Sequence, residues 1–276
     1  MNANSYVLNV GWHDVERLGK SDRIYGPGSR TFLQRYAHIK EGMTVLDVGC
    51  GTGNMSLWMA EKVGPAGQVV GIDASAEQIA VSNARAKSMG LKNIRFLQLD
   101  FSQIHTLGIQ FDLAYCRFIL IHLTQPLDAI KLMASVTRPG GVVVCEEPIT
   151  DMHACSPEHP AFDQANQLTI ALGRKKGVDY NLGARLSELF TAAQLEALQF
   201  DHYQPDIQDT DDRGIFFDSF SQIADSLLAY ALATPEQVRT VSEQLLQLKE
   251  DHTYSVKGFR NIQAIGRRRQ IIQEDK

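Results

Sequence analysis

The sequence predicts an α/β protein built on a doubly wound, mostly parallel sheet, and three observations predict it. Between residues 40 and 147, short apolar runs alternate with helix-periodic segments. The first run opens into a loop with glycines at alternate positions, and the second ends in an aspartate 20 residues after that loop. Strands alternating with helices in this way pair in parallel, and right-handed crossovers leave only the strand order to be determined.

Each element follows from its own pattern. Residues 43–48 read as a buried strand, and Met55, Trp58, Met59 and Val63 then recur at helical spacing. Residues 68–73 form a second strand. Ser75 followed by Gln78 matches a capping box and Gly90 suits a C-cap, which predicts a helix over 76–89. Residues 94–100 and 111–116 read as the third and fourth strands. Leu127, Ile130, Met133 and Ala134 mark a helix, Pro139-Gly140-Gly141 breaks it, and 142–146 form a fifth strand. After Pro148 the pattern changes. Residues 149–180 show short helical turns at most. A helix carrying Leu186, Leu189 and Phe190 precedes a strand near 195–203. Residues 216–249 read as a helical pair, one stripe formed by Phe216, Phe220, Ile223 and Leu227 and the other by Val238, Val241, Leu245 and Leu248. Thr234-Pro235-Glu236-Gln237 starts the second helix with an N-cap, a proline at the first position and a capping glutamine. A last strand covers 259–265.

Composition bounds the function. With 44% hydrophobic and 21% charged residues, the 276-residue chain is globular rather than disordered or collagen-like. A net charge of −5 gives no electrostatic case for a nucleic-acid partner. The one basic run, Arg267-Arg268-Arg269, reads as a solvated chain end. Cys50, Cys116, Cys145 and Cys155 lack C-x-x-C spacing, which disfavours a zinc site or disulfide framework and suits a reducing compartment. Met1 to Tyr6 carry no secretory pattern, and no apolar run reaches the ~18 residues of a membrane span. The expectation is a cytoplasmic protein with no membrane partner.

The most informative stretch is Val45-Leu46-Asp47-Val48-Gly49-Cys50-Gly51-Thr52-Gly53. Its glycines permit a sharp turn and close approach of a ligand to the backbone, and the next helix offers unpaired N–H groups. Asp73 ends the neighbouring strand, where a carboxylate can hold two ribose hydroxyls. The pattern departs from the dinucleotide fingerprint G-x-G-x-x-G, because the third glycine comes one residue early. Asp47, before the loop, would repel a pyrophosphate and suit a cationic ligand.

Residues 45–53 resemble the glycine-rich motif of the class I S-adenosylmethionine-dependent methyltransferases, and four further stretches resemble that family in order. Asp73 matches its ribose acid, and Leu99-Asp100-Phe101 its adenine motif, in which the aspartate accepts from the adenine amino group and the next residue flanks the ring. Residues 111–115 match its fourth-strand motif, and Arg138-Pro139-Gly140-Gly141 its turn into the fifth strand. The resemblance implies a Rossmann-like, seven-stranded sheet with its last strand antiparallel and helical lid insertions. It also implies S-adenosyl-L-methionine as cofactor, with S-adenosyl-L-homocysteine as product. The cofactor would meet Asp47, Gly49, Cys50, Gly51, Gly53, Asp73, Ala74, Asp100 and Phe101. Arg117, on the loop after the fourth strand, and Tyr25, in the turn-like segment 23–30, are expected near the methionine end.

The sulfonium is already an activated electrophile, so methyl transfer by in-line displacement requires mainly alignment of the acceptor. His122 is a candidate general base, or else a structural histidine bonded to backbone. One of Glu146 and Glu147 is expected to face the cleft, because alternate residues of a strand point opposite ways. Gln78 either lines the adenine pocket or only caps its helix. Cys50 reads as a small filler, Gly71 as a packing residue, Asp112 as the cap of its strand, and Phe216, Phe217 and Phe220 as core or acceptor pocket. The expected layout is an N-terminal helical cover over 1–40 and a methyltransferase domain over 41–276, with lid insertions at about 149–180 and 205–256. The expected partner is a small-molecule acceptor. A non-catalytic S-adenosylmethionine-binding module and a protein methyltransferase are the alternatives.

Overall fold

A computed structural model describes residues 14–270. The expected N-terminal cover therefore lies partly, and the stretch Met1 to Tyr6 wholly, outside the described residues. The strands are β1 (Thr44–Val48), β2 (Gln68–Asp73), β3 (Ile94–Gln98), β4 (Phe111–Arg117), β5 (Thr137–Ile149), β6 (Ala154–Ser156), β7 (Glu196–Tyr203), β8 (Ser255–Lys257) and β9 (Arg260–Arg267). The helices are α1 (Val15–Phe32), α2 (Asn54–Val63), α3 (Ala76–Ser88), α4 (Pro126–Val136), α5 (Pro160–Lys176), α6 (Leu186–Ala192), α7 (Thr210–Arg213), α8 (Ile215–Ala229) and α9 (Pro235–Glu250). Seven strands form one sheet in the order β3-β2-β1-β4-β5-β9-β7. The pairs among β1 to β5 are parallel, and β9 runs antiparallel between β5 and β7. The order reverses at β1, whose neighbours are β2 and β4, so the carboxyl ends of these strands form a topological switch point.

Alternation along the strands builds two cores. Val45, Val69, Leu113 and Val144 face Phe32 and Leu33 near the end of α1 and Met55, Met59 and Val63 of α2. Leu46, Val48, Ala114 and Val143 face the other way, onto Ile130 and Met133 of α4 and Leu186 and Phe190 of α6. A third apolar cluster joins α5, α8 and α9 through Phe162, Leu172, Phe220, Ile223, Val241 and Leu245. The stripes read for α8 and α9 are its core, and Thr234 and Gln237 form the full reciprocal capping box.

Several expectations are corrected. Segment 23–30 is not a turn: α1 runs through it to Phe32, with Pro27 inside the helix. Its glycines serve close packing, since a Cβ on Gly28 would lie 2.4 Å from Cγ of Tyr203. Residues 149–180 hold a continuous 17-residue helix, α5, with proline at its first turn, rather than short turns. The fifth strand starts earlier, at Thr137, with a register shift against β4 that absorbs Pro139-Gly140-Gly141. The basic run is solvated as expected at Arg267 and Arg269, which are exposed, and it is also tied to the protein. Arg268 donates to the carbonyl of Ser135 at 2.8 Å and Arg269 pairs with Glu196 at 2.6 Å. Arg267 bonds the Gly140 carbonyl. The run secures the turn into β5. No helix among the described residues is long and apolar enough to cross a membrane.

Candidate active site

The glycine loop is held by backbone bonds before any ligand is considered. Gly49 and Cys50 donate their N–H groups to the Ile72 carbonyl at 2.8 and 2.9 Å, which ties the end of β1 to the end of β2. Gly49, Gly51 and Gly53 all have positive φ, at 68°, 53° and 79°. A side chain at Gly49 would also collide with Ile119, on the loop after β4. Two residues that the sequence reading did not single out complete the cradle. Ser82 donates to the Gly51 carbonyl at 2.7 Å, and Arg85 donates to the Thr52 carbonyl at 2.6 Å and to Oδ1 of Asn54 at 2.6 Å. Gln78, Ser82 and Arg85 follow at i, i+4 and i+7 on α3, so a polar stripe on a helix flanking the sheet was their signal in the sequence.

Asp73 accepts from the N–H of Gly51 at 3.0 Å and of Ser75 at 2.9 Å. These bonds orient its carboxylate and leave further lone pairs for a ligand. Burial raises its pKa above the ordinary value, against those bonds. Because Asp73 takes the Ser75 N–H, the expected capping box is only half formed. The Ser75 hydroxyl still accepts from the Gln78 N–H at 3.3 Å, while Oε1 of Gln78 is buried with no partner among the described residues. Asp47 is buried and accepts a short bond from the Ser56 hydroxyl, and burial pushes its carboxyl up to about 7. Asp100 caps the short helical turn Phe101–Leu107, accepting from the Ser102 hydroxyl and N–H, and is held below the usual carboxylate range chiefly by that hydroxyl.

The loop after β4 is set by Glu147. Its carboxylate accepts from the N–H groups of Ile119 at 3.1 Å, Leu120 at 2.8 Å and Ile121 at 3.3 Å, and burial pushes it up to about 8. Glu146 is equally buried and takes bonds from Ser29, Tyr115, Asn261 and Gln263 at 2.8–2.9 Å. The expectation that one of the two faces the cleft is therefore corrected. Neither is among the residues lining the cavity, because both are consumed by internal donors. Arg117 bridges Ser29 at 3.0 Å and Asp22 at 3.1 Å, which joins the end of β4 to α1.

These elements surround one cavity of about 610 Å³, within the range of ligand pockets. Asp47, Gly49, Cys50, Gly51, Asp73, Ala74, Asp100, Phe101, Arg117, Tyr25 and His122 all line it, and so does Gln78. Gly53 does not. It starts α2 with its Cα facing Phe96, whose ring a Cβ would meet at 2.8 Å. Gly71 packs against the same ring, and Asp112 accepts the Thr44 N–H at 2.6 Å and pairs with Arg138. Burial lifts the Cys50 thiol well above its ordinary value, which leaves it inert as a nucleophile. The Tyr25 hydroxyl accepts from the Phe259 N–H at 2.9 Å, while its ring meets Phe118 edge-on. His122 is buried with its ring edge-on to Tyr180, and burial pulls it down to about 3.

The cavity has two characters. Its charged lining residues are Asp14, Arg17, Asp47, Asp73, Asp100 and Arg117, of which Asp14 pairs with Arg17 and accepts from Gln222 of α8 at 2.9 Å. Beyond the loop after β4 the walls are supplied by Phe162, Phe216, Phe220, Ile223, Leu245 and Phe259. Phe216 and Phe220 thus reach the cavity, whereas Phe217 packs within the α5, α8 and α9 cluster. This wall is aromatic and aliphatic, and the Asp14–Arg17 pair meets its α8 part through Gln222. The first half fits a cationic adenosine cofactor. It offers a glycine loop of positive φ, an unpartnered buried amide oxygen at Gln78, and a carboxyl at Asp47 that burial leaves poised to gain from a nearby cation.

Comparison with known proteins agrees with this geometry. A family model described as a methyltransferase domain matches residues 39–194, and the chain belongs to that family, the class I S-adenosylmethionine-dependent methyltransferases. A demethylmenaquinone methyltransferase of Geobacillus stearothermophilus is 33% identical over 118 residues, 43% of this chain and 50% of that protein. The chain thus spans about half the length of this curated relative. Among solved structures, Haemonchus contortus phosphoethanolamine N-methyltransferase 2, in complex with S-adenosyl-L-methionine, is 16% identical with a TM-score of 0.54, covering 88% of this chain and 53% of that one. The cyclase SpnF is 22% identical with a TM-score of 0.55, covering 88% and 81%. Proteins named for different reactions share this fold, so the reaction must be argued from the site.

Proposed function

We propose that this protein transfers the methyl group of S-adenosyl-L-methionine to a small, neutral, largely apolar acceptor held in the second half of the cavity. The observation that carries this reading is one cavity whose lining joins the glycine loop, Asp47, Asp73 and Asp100 to an aromatic wall of Phe162, Phe216, Phe220 and Phe259. When bound, the cofactor supplies an activated methyl group.

In this reading the chain's own residues bind, orient and exclude water. Asp73 holds the ribose hydroxyls with the oxygen lone pairs left over from Gly51 and Ser75. Ala74, Asp100, Phe101 and Gln78 receive the adenine, and the backbone of Gly49, Cys50 and Gly51, with Asp47 beneath it, receives the methionine end. Gly53 serves by setting the loop rather than by contact. Arg117 and Tyr25 position α1 over the same end. Residues 1–40 act as a cover, and segments 149–180 and 205–256 act as the lid that closes the acceptor half of a methyltransferase domain spanning 41–276. His122 shapes the chamber as a neutral imidazole. Its lowered pKa makes it a weak base, so the reaction rests on alignment rather than on proton removal by this residue.

The test is transfer of labelled methyl from S-adenosyl-L-methionine into a metabolite extract, beside calorimetric titration of the cofactor. Cofactor binding with label in small apolar products is expected. Binding with no transfer across a broad extract would favour a non-catalytic module, and absence of binding would defeat the site assignment.

A further inference from the structure

We infer that the hydroxyls of Ser21 and Ser219 bind an oxygen function of the acceptor, a hydroxyl or a carbonyl, at the border between the glycine loop and the aromatic wall. The inference rests on the proposal that this cavity holds the cofactor beside a methyl acceptor.

Both serines stand on helix faces that line the cavity. On α1 that face includes Leu18, Ser21 and Tyr25, and on α8 it includes Phe216, Ser219, Phe220 and Ile223. Spacings of three and four residues place each set on one side of its helix. A serine side chain is short, so its hydroxyl stays on the side its Cβ points to. Both residues are half-buried. Among the described residues neither hydroxyl makes a hydrogen bond, and neither oxygen is one of the fully buried polar atoms without a partner. Both therefore keep accessible surface. Other lining hydroxyls have spent their protons. Thr169 donates to the Ala165 carbonyl at 2.8 Å and Tyr115 to Glu146 at 2.8 Å, so Thr169 retains only an acceptor for a ligand. The cations of the lining, Arg17 and Arg117, are paired with Asp14 and Asp22 of the same end of the chain. The two serines are left with hydrogen-bonding capacity wholly unspent.

Their place in the fold says what they would meet. Lys20 donates to Asp218 at 2.8 Å and Gln222 donates to Asp14 at 2.9 Å, so α1 and α8 run in opposite directions along this seam. Ser21 follows Lys20 and Ser219 follows Asp218, and the ion pair fixes both helices at the level of the serines. Ser21 is one turn from Leu18. The Leu18 carbonyl accepts from Asn54 at 3.2 Å, and its Cδ1 would lie 3.2 Å from a Cβ on Gly51, so this part of α1 adjoins the glycine loop. Ser219 stands between Phe216 and Phe220 of the aromatic wall. An acceptor body on that wall must present its reacting group toward the glycine loop, and the serines flank that path. A free hydroxyl donates to a carbonyl or accepts from a hydroxyl, so the pair reads either oxygen function and leaves the net charge of the ligand open. The phenylalanines beside it offer no competing partner. The serines position the acceptor; the inference does not designate the atom that is methylated.

The test uses the full chain saturated with S-adenosyl-L-homocysteine and three probes, 2-naphthol, 2-acetylnaphthalene and naphthalene, titrated by calorimetry. The two oxygenated probes are expected to bind about tenfold more tightly than naphthalene, the effect of one or two hydrogen bonds to unpaired groups. Ser21→Ala and Ser219→Ala should each reduce this preference by about threefold, and the double variant should abolish it. Thr169→Val, which removes the remaining acceptor on α5, should leave the preference in place. Equal binding of the three probes to the unsubstituted protein, no probe binding at all, an undiminished preference in a folded double variant, or a preference that vanishes in Thr169→Val would each overturn the inference. If a serine variant does not fold, the probe series on the unsubstituted protein and on Thr169→Val decides. Failure of the unsubstituted protein to bind S-adenosyl-L-homocysteine would instead defeat the underlying methyltransferase reading.

Discussion

A Cβ on Gly49 would sit 2.1 Å from Cδ1 of Ile119. The glycine loop after β1 and the loop after β4 therefore interlock, and the residue that turns the backbone under the ligand also admits the side chain of the neighbouring strand's loop. Gly49→Ala meets two penalties, a positive φ of 68° and this overlap. The expected loss is about 2 kcal/mol or more of folding stability. Cofactor affinity should fall with it, since Ile119 must move into the cavity it lines. Chemical denaturation and cofactor titration of the variant check this, and a normal result in both would mean that the two loops do not meet.

Asp73 serves the loop and the ligand together. In Asp73→Asn one oxygen survives and an amino group replaces the other, opposite the N–H of either Gly51 or Ser75. Binding of S-adenosyl-L-methionine should weaken by roughly 1–3 kcal/mol, as expected for loss of a charged acceptor. Calorimetry that returns an unchanged dissociation constant would remove Asp73 from the site.

Glu147 and Asp47 make stability depend on pH in a defined direction. Burial raises their carboxyls to about 8 and about 7, whereas an unfolded carboxyl titrates near 4. The folded state thus retains protons that the unfolded chain releases. The resulting stabilisation is complete below about pH 4 and is lost as pH rises through 7 and 8. His122 works in the opposite sense, because burial lowers it to about 3: its contribution is present above its unfolded value near 6.5 and is lost as pH falls toward 3. Above about pH 6.5 only the carboxyls contribute among these three groups. The melting temperature should fall between about pH 6.5 and 8.5, and less steeply in Glu147→Gln, which keeps an acceptor for Ile119 and Leu120 but cannot ionise. Parallel slopes for the two proteins would show that Glu147 does not titrate in this window.

The Tyr25 hydroxyl ties α1 to the segment entering β9 through the Phe259 N–H. Tyr25→Phe should cost about 1 kcal/mol of stability, since that half-buried donor loses its partner, while cofactor affinity stays within about twofold. A loss of affinity with an unchanged melting temperature would assign the hydroxyl to the ligand instead.

The sheet and the cofactor half were legible because their determinants are local. Glycine spacing dictates the turn at Gly49 to Gly53, and two-residue periodicity dictates which faces of β1, β2 and β4 are buried. Asp73 and Asp100 stand at strand ends by position in the chain alone. Misreadings arose where a local signal was overruled by packing. Gly26-Pro27-Gly28 has turn chemistry, yet it remains helical within α1, where Gly28 packs under Tyr203. The Ser75 capping box is half formed because Asp73 takes the N–H that Gln78 would have bonded.

The acceptor half depended on contacts between distant parts of the chain. Nothing near Glu147 in sequence announces that its carboxylate holds Ile119, Leu120 and Ile121, and nothing near Lys20 announces Asp218 as the group that ties α1 to α8. Residue order sets which side chains stand at a strand's end or share a helix face, since both follow from backbone repeats of two and 3.6 residues. Whether a carboxylate there meets a ligand or a backbone donor is decided by which strand, loop or helix packs against it, and that packing joins residues more than a hundred positions apart, as Glu146 and Asn261 do.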